Sequence, residues 1–142
     1  MTQPDRIAPG LTHLFIDDGA VAVYTFYNNR RETIDAWYEA LRGQHDSWDA
    51  SQTYLILHDV SRVFFTPYFR TRANDVMALE RTDLVGAYAV LLPNSLIGHV
   101  MRLFLDRDLR RTVHQTTGET FTDYDDALKW LRGMRKQFAT TL

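Results

Sequence analysis

Residues 53–59, TYLILHD, form an almost unbroken apolar run of strand length. A strand with one solvated face alternates apolar and polar residues, whereas a continuous run fits a strand covered on both faces, as inside a parallel sheet. Such a strand needs helices on the sheet, and the chain supplies them. Helically spaced apolar stripes alternate with further strand-length runs along the whole sequence.

THLFI (12–16) and AVAVYTFY (20–27) read as strands joined by Asp17-Asp18-Gly19, with Gly19 supplying the positive φ of a hairpin turn. Asn28 and Asn29 offer caps for a helix striped by Ile34, Trp37, Tyr38 and Leu41, and Gly43 helps to end it. After the 53–59 strand, Thr66-Pro67 reads as an N-cap followed by proline at the first helical position, and Phe69, Ala73 and Val76 form the buried stripe. VGAYAVLLP (85–93) is the next strand. Asn94 or Ser95 caps a helix striped by Ile97, Val100, Met101 and Phe104. RTVHQTT (111–117) is a final edge strand that turns at Gly118. Thr122 with Asp125 resembles a capping box before a last stripe of Ala127, Leu131, Met134 and Phe138.

The order β-β-α-β-α-β-α-β-α implies a single α/β domain, with a mixed, mostly parallel sheet and helices packed on it. Crossovers between its parallel strands should be right-handed. The expected division is a flexible N-terminus at 1–10, one domain at 11–138 and a frayed tail at 139–142. In such sheets ligands gather at the carboxyl ends of the strands. HDVSRVFFTPYFR (58–70) and Pro93-Asn94-Ser95 lie at such ends.

A net charge of −2 gives no global pull toward nucleic acid, and no phosphate-binding loop or RNA-stacking motif is present. No nucleic-acid partner is expected. The chain has no cysteine, which excludes disulfides, thiol catalysis and cysteine-ligated zinc and agrees with a cytoplasmic location. The polar N-terminus lacks the apolar centre of a signal peptide. No apolar run approaches the roughly 20 residues of a spanning helix. His13, His45, His58, His99 and His114 show no metal-binding spacing, so neither metal nor cofactor is expected, although His58 and His99 could meet at the carboxyl edge.

His58, Asp59 and Ser61 invite an acid–base and nucleophile reading. Neighbours on a strand point to opposite faces, however, and Asp59 and Ser61 suit turn hydrogen bonds to backbone amides. No catalytic residue is assigned. Arg62, Arg70, Arg72 and Arg81 outnumber Asp75, Glu80 and Asp83, and Phe64, Phe65, Tyr68 and Phe69 interleave with the first of them. Exposed, this cluster suits a protein interface, a membrane surface or an amphiphilic ligand. The alternative is core aromatics beside solvated arginines.

Asp59-x-Ser61-x-Val63-x-Phe65 and Phe121…Ala127-Leu128-x-Trp130-Leu131, set in this element order, resemble the SpoIIAA-like family of the STAS group (sulfate transporters and anti-sigma-factor antagonists). The resemblance spans about residues 11–133. It implies a non-catalytic cytoplasmic regulatory module with a protein partner, and leaves a homodimer open. In the anti-sigma antagonists Asp-x-Ser precedes a segment with a phosphorylated serine. Here the matching segment is Pro67-Tyr68-Phe69-Arg70, which has no such serine. By analogy with Sec14-like relatives, the alternative is a carrier or sensor of a lipophilic small molecule with peripheral membrane contact. The residues expected to bind a partner or ligand are Asp59, Ser61, Arg62, Phe65, Thr66, Tyr68, Arg70 and Arg72, with Asn94 and Ser95 alongside.

Overall fold

A computed structural model describes residues 3–79, 81–109 and 115–141. The strands are β1 (Asp5–Ala8), β2 (Leu11–Ile16), β3 (Val21–Phe26), β4 (Tyr54–Asp59), β5 (Val85–Leu91) and β6 (Gln115–Phe121). The helices are α1 (Arg31–Ser47), α2 (Pro67–Met77), α3 (Leu96–Leu109) and α4 (Tyr124–Thr141). The six strands form one sheet in sequential order. β1, β2 and β3 pair antiparallel, and β3 to β6 pair parallel. This is the mixed, mostly parallel α/β sheet read from the sequence.

Alternation along the strands divides the core. Tyr54 and Ile56 of β4 join Ala22, Tyr24 and Phe26 of β3 in a cluster with Ile34, Trp37 and Leu41 of α1, Phe69 of α2 and Met101 of α3. Leu55 and Leu57 face the other way and pack with Ala127, Leu128 and Leu131 of α4. Three helices therefore cover one face and α4 the other. β4 is apolar throughout because both of its faces are covered.

The structure departs from the sequence reading at element edges. Asp5–Ala8, expected to be flexible, pairs with β2 as an edge strand whose largely exposed residues carry no alternating pattern. α1 runs through Gly43 to Ser47. Its N-cap is Arg30, while Asn28 Oδ1 accepts from the Arg30 N–H at 3.1 Å and the Thr33 hydroxyl at 2.6 Å. Gly118 does not turn the chain. It pairs with Tyr88 inside β6, and the Tyr88 ring fills the space that a side chain there would need. The first part of the expected last strand, 111–114, lies outside the described residues. Asp123, not Thr122, caps α4 by accepting the Asp126 N–H at 3.1 Å, and the helix extends to Thr141 across most of the expected frayed tail.

α3 is rotated from the expected stripe. Met101 is buried, but Ile97 and Val100 are exposed, together with Leu96 and Leu103. A Cβ on Gly98 would lie 1.7 Å from the Pro93 carbonyl oxygen, so the bare glycine brings the helix start against Pro93. Gly98, Met101 and Leu105 then form the inward face. The Phe104 side chain lies outside the described part of the structure.

Candidate functional site

The β4–α2 connection begins with Asp59, buried at the strand end. Its Oδ1 accepts the Ser61 N–H at 3.0 Å and the Ser61 hydroxyl at 2.5 Å, and its Oδ2 accepts from Arg62 at 3.3 Å. Both acceptor oxygens are thus engaged in one tight turn. By strand alternation His58 points to the α1–α3 face and Asp59 to the α4 face, so they do not form a pair. His99 is exposed on α3. Among the described residues, no group of three or more histidine or acidic side chains could hold a metal ion.

Thr66 is the N-cap of α2, accepting the Phe69 N–H at 3.1 Å with Pro67 following. Thr66→Ala is expected to cost about 1 kcal/mol, read as a shift in the urea midpoint. Ser95 caps α3 in the same way, accepting the Gly98 N–H at 3.2 Å, while Asn94 beside it is exposed.

Tyr68 and Arg72 turn toward α1. The Tyr68 hydroxyl donates to Asp35, Arg72 Nε donates to the same carboxylate at 3.2 Å, and Arg72 Nη1 reaches Asp75 at 3.3 Å. The Arg31 guanidinium lies 4.4 Å over the Tyr68 ring, and that of Arg72 lies 4.1 Å over Tyr38. These two residues join α2 to α1. Arg62 and Arg70 are exposed. Arg62 sits 5.2 Å over the Tyr27 ring, beside Phe64; both rings are more than half exposed, at 52% and 54%. Asn29 ties the two loops together by donating to the Phe64 carbonyl at 3.2 Å. The expected surface therefore separates into an exposed ridge of Tyr27, Arg62 and Phe64, an exposed Arg70 on α2, and a helix–helix clamp of Tyr68 and Arg72.

Phe65 turns inward and packs edge-on against Phe69, with ring centroids 4.7 Å apart. Both line an apolar cavity of about 150 Å³ between the helices and the sheet. Its walls include Trp37 and Leu41 of α1, Ile56 and His58 of β4, Ala73 and Val76 of α2, and Leu105 of α3. Four lining residues keep a buried polar atom with no hydrogen-bond partner in the protein: Trp37 Nε1, His45 Nδ1, Tyr54 Oη and His58 Nε2. The Trp37 and His58 rings meet edge to face at 5.5 Å, and the His45 and Tyr54 rings at 5.8 Å. His58 also ends an aromatic row across the sheet, with Tyr24 stacked 5.8 Å from it and 4.5 Å from His13. Burial lowers the His58 pKa to about 4, so the imidazole is neutral at pH 7.

The sequence pattern places Trp37 only in a core stripe. One signal was available: Tyr54, Ile56 and His58 share strand parity, which places His58 on the face covered by α1.

No family model and no curated protein matches the chain. Its structure is similar to the crystal structure of an anti-sigma factor antagonist from Mycobacterium paratuberculosis, with a TM-score of 0.57 and 15% identity. The match covers 89% of this chain and 99% of that one. The fold is of the STAS type. This is the fold expected from Asp59-x-Ser61-x-Val63-x-Phe65 and the closing helix motif. Among the described residues, no helix is long and apolar enough to cross a membrane.

Proposed function

We propose that this protein is a non-catalytic STAS-type module that binds a small lipophilic molecule between its helices and its sheet. The observation that carries this reading is the apolar cavity, whose wall holds the unpartnered Trp37 Nε1 and His58 Nε2. A mostly apolar pocket with a few convergent polar groups is the usual form of a small-molecule site. The engagement of Asp59 and Ser61 in a turn, with His58 on the opposite face, supports a role without catalysis.

The test is thermal shift of detergent-free protein against neutral lipophilic compounds. A ligand at 100 times its Kd adds about 2.7 kcal/mol of stability, a rise of several degrees in Tm. Ala73→Phe, which fills the cavity, should remove the response. Failure of every compound, or an unchanged response in Ala73→Phe, contradicts the reading.

The exposed ridge favours a second, compatible function: a cytoplasmic regulatory module that docks a protein partner. Exposed aromatics beside arginines have the composition of binding hot spots, and the fold is shared with an anti-sigma factor antagonist. Arg62→Ala combined with Phe64→Ala is expected to weaken partner binding at least tenfold while the protein stays folded. A partner held with unchanged affinity by the double variant contradicts docking at the ridge.

A further inference from the structure

We infer that the cavity recognises a compact, uncharged aromatic molecule bearing one hydroxyl group, held at the Trp37–His58 end. This inference rests on the ligand-binding reading above and narrows it to one chemical class.

Size sets the first limit. At about 150 Å³ the space matches an engineered apolar protein cavity that takes up benzene, and it is far too small for a two-chain lipid. The lining sets the second. Phe26, Trp37 and Phe69 meet at interplanar angles of 38 to 67° and Phe65 meets Phe69 at 83°, so the wall presents both ring edges and ring faces. Such a wall rewards an aromatic guest beyond its buried area.

The polar atoms of the Trp37–His58 pair set the third, while the other unpartnered atoms of the wall, His45 Nδ1 and Tyr54 Oη, belong to a second ring pair beside Arg81. Trp37 Nε1 is a donor only. Burial keeps the His58 imidazole neutral, so one of its nitrogens donates and the other accepts. A single hydroxyl can accept from the indole N–H and donate to an imidazole nitrogen. Neither a hydrocarbon nor a carboxylate can do both. A carboxylate would also require a cation, and the Arg81 guanidinium on the cavity wall is already bound to Asp83 at 2.6 Å and to the carbonyls of His45 and Trp48 at 2.9 and 2.8 Å.

The decisive comparison is 4-fluorophenol against 4-fluorotoluene. The two differ by hydroxyl for methyl at nearly constant shape, and fluorine NMR follows each during titration of the whole protein. The phenol should bind one to one and at least fivefold tighter than the toluene, although the toluene is more hydrophobic. Trp37→Phe or His58→Phe should abolish or invert that ratio while retaining toluene uptake. Ala73→Phe should exclude both compounds, with Val76→Phe as the second filling variant if circular dichroism shows that the first does not fold.

Equal or tighter binding of the toluene by the parent overturns recognition of a hydroxyl. Stabilisation by dodecanol without binding of 4-fluorophenol overturns the compact aromatic class and leaves the ligand-binding reading intact. No uptake of any of the three by folded parent protein overturns both.

Discussion

Acidification from pH 7 to pH 4 is expected to remove roughly 3 kcal/mol of folding stability through His58 alone. Burial holds the folded-state pKa of this imidazole near 4, against an ordinary value of 6.5. Between those values the unfolded chain binds a proton that the folded chain does not. Stability is therefore complete above about pH 6.5, falls as the pH drops toward 4, and loses nothing further from this group below that. His13 and His45 are shifted down by burial as well and act in the same direction. Urea unfolding at pH 7 and pH 4 measures the loss. His58→Phe, which keeps a ring beside Tyr24 and Trp37, isolates the His58 share. The variant should be clearly less acid-sensitive than the parent, and an identical pH dependence would show that His58 is protonated freely in the folded state.

Phe69→Ala is expected to destabilise the fold by about 3–5 kcal/mol. The ring is almost fully buried and contacts Phe26, Trp37 and Phe65 at centroid distances of 5.0, 5.6 and 4.7 Å. Its removal takes away burial and three ring contacts, and it enlarges a space already present beside it. Neighbouring side chains cannot collapse freely into that space, because β3 and β4 form a rigid wall on one side. The loss should appear in chemical denaturation. A cost under 1 kcal/mol would mean that α2 is not packed on the sheet through this residue.

Much of the frame was legible because burial on two faces leaves a plain mark. The unbroken run of β4 implied a covered parallel strand, and the stripes of α1 and α4 implied the helices that cover it. Thr66-Pro67 marked the start of α2 because capping chemistry is local. The orientation of α3 was not legible, since it follows from a glycine packed against Pro93, a contact between residues on either side of the helix start. β1 was invisible because its pairing uses backbone groups on largely exposed residues.

The candidate site shows the same division. The Asp59–Ser61 turn could be read because two residues and their amides suffice for it. Tyr68 and Arg72 looked available for a partner because nothing in their spacing announces Asp35, which only the packing of α1 on α2 brings to them. The cavity has no sequence signature at all. It is the volume left between the helices and the sheet beside Trp37, Phe69 and Ala73, and it exists only once the layers are assembled.

A ligand-binding role requires that this cavity be occupied in use. Native mass spectrometry of detergent-free protein, with organic extraction of anything retained, tests it most directly alongside Ala73→Phe. Binding requires a stoichiometric small molecule on the parent and none on the filled variant. A bare mass for both, still bare after incubation with neutral lipophilic compounds, would contradict it.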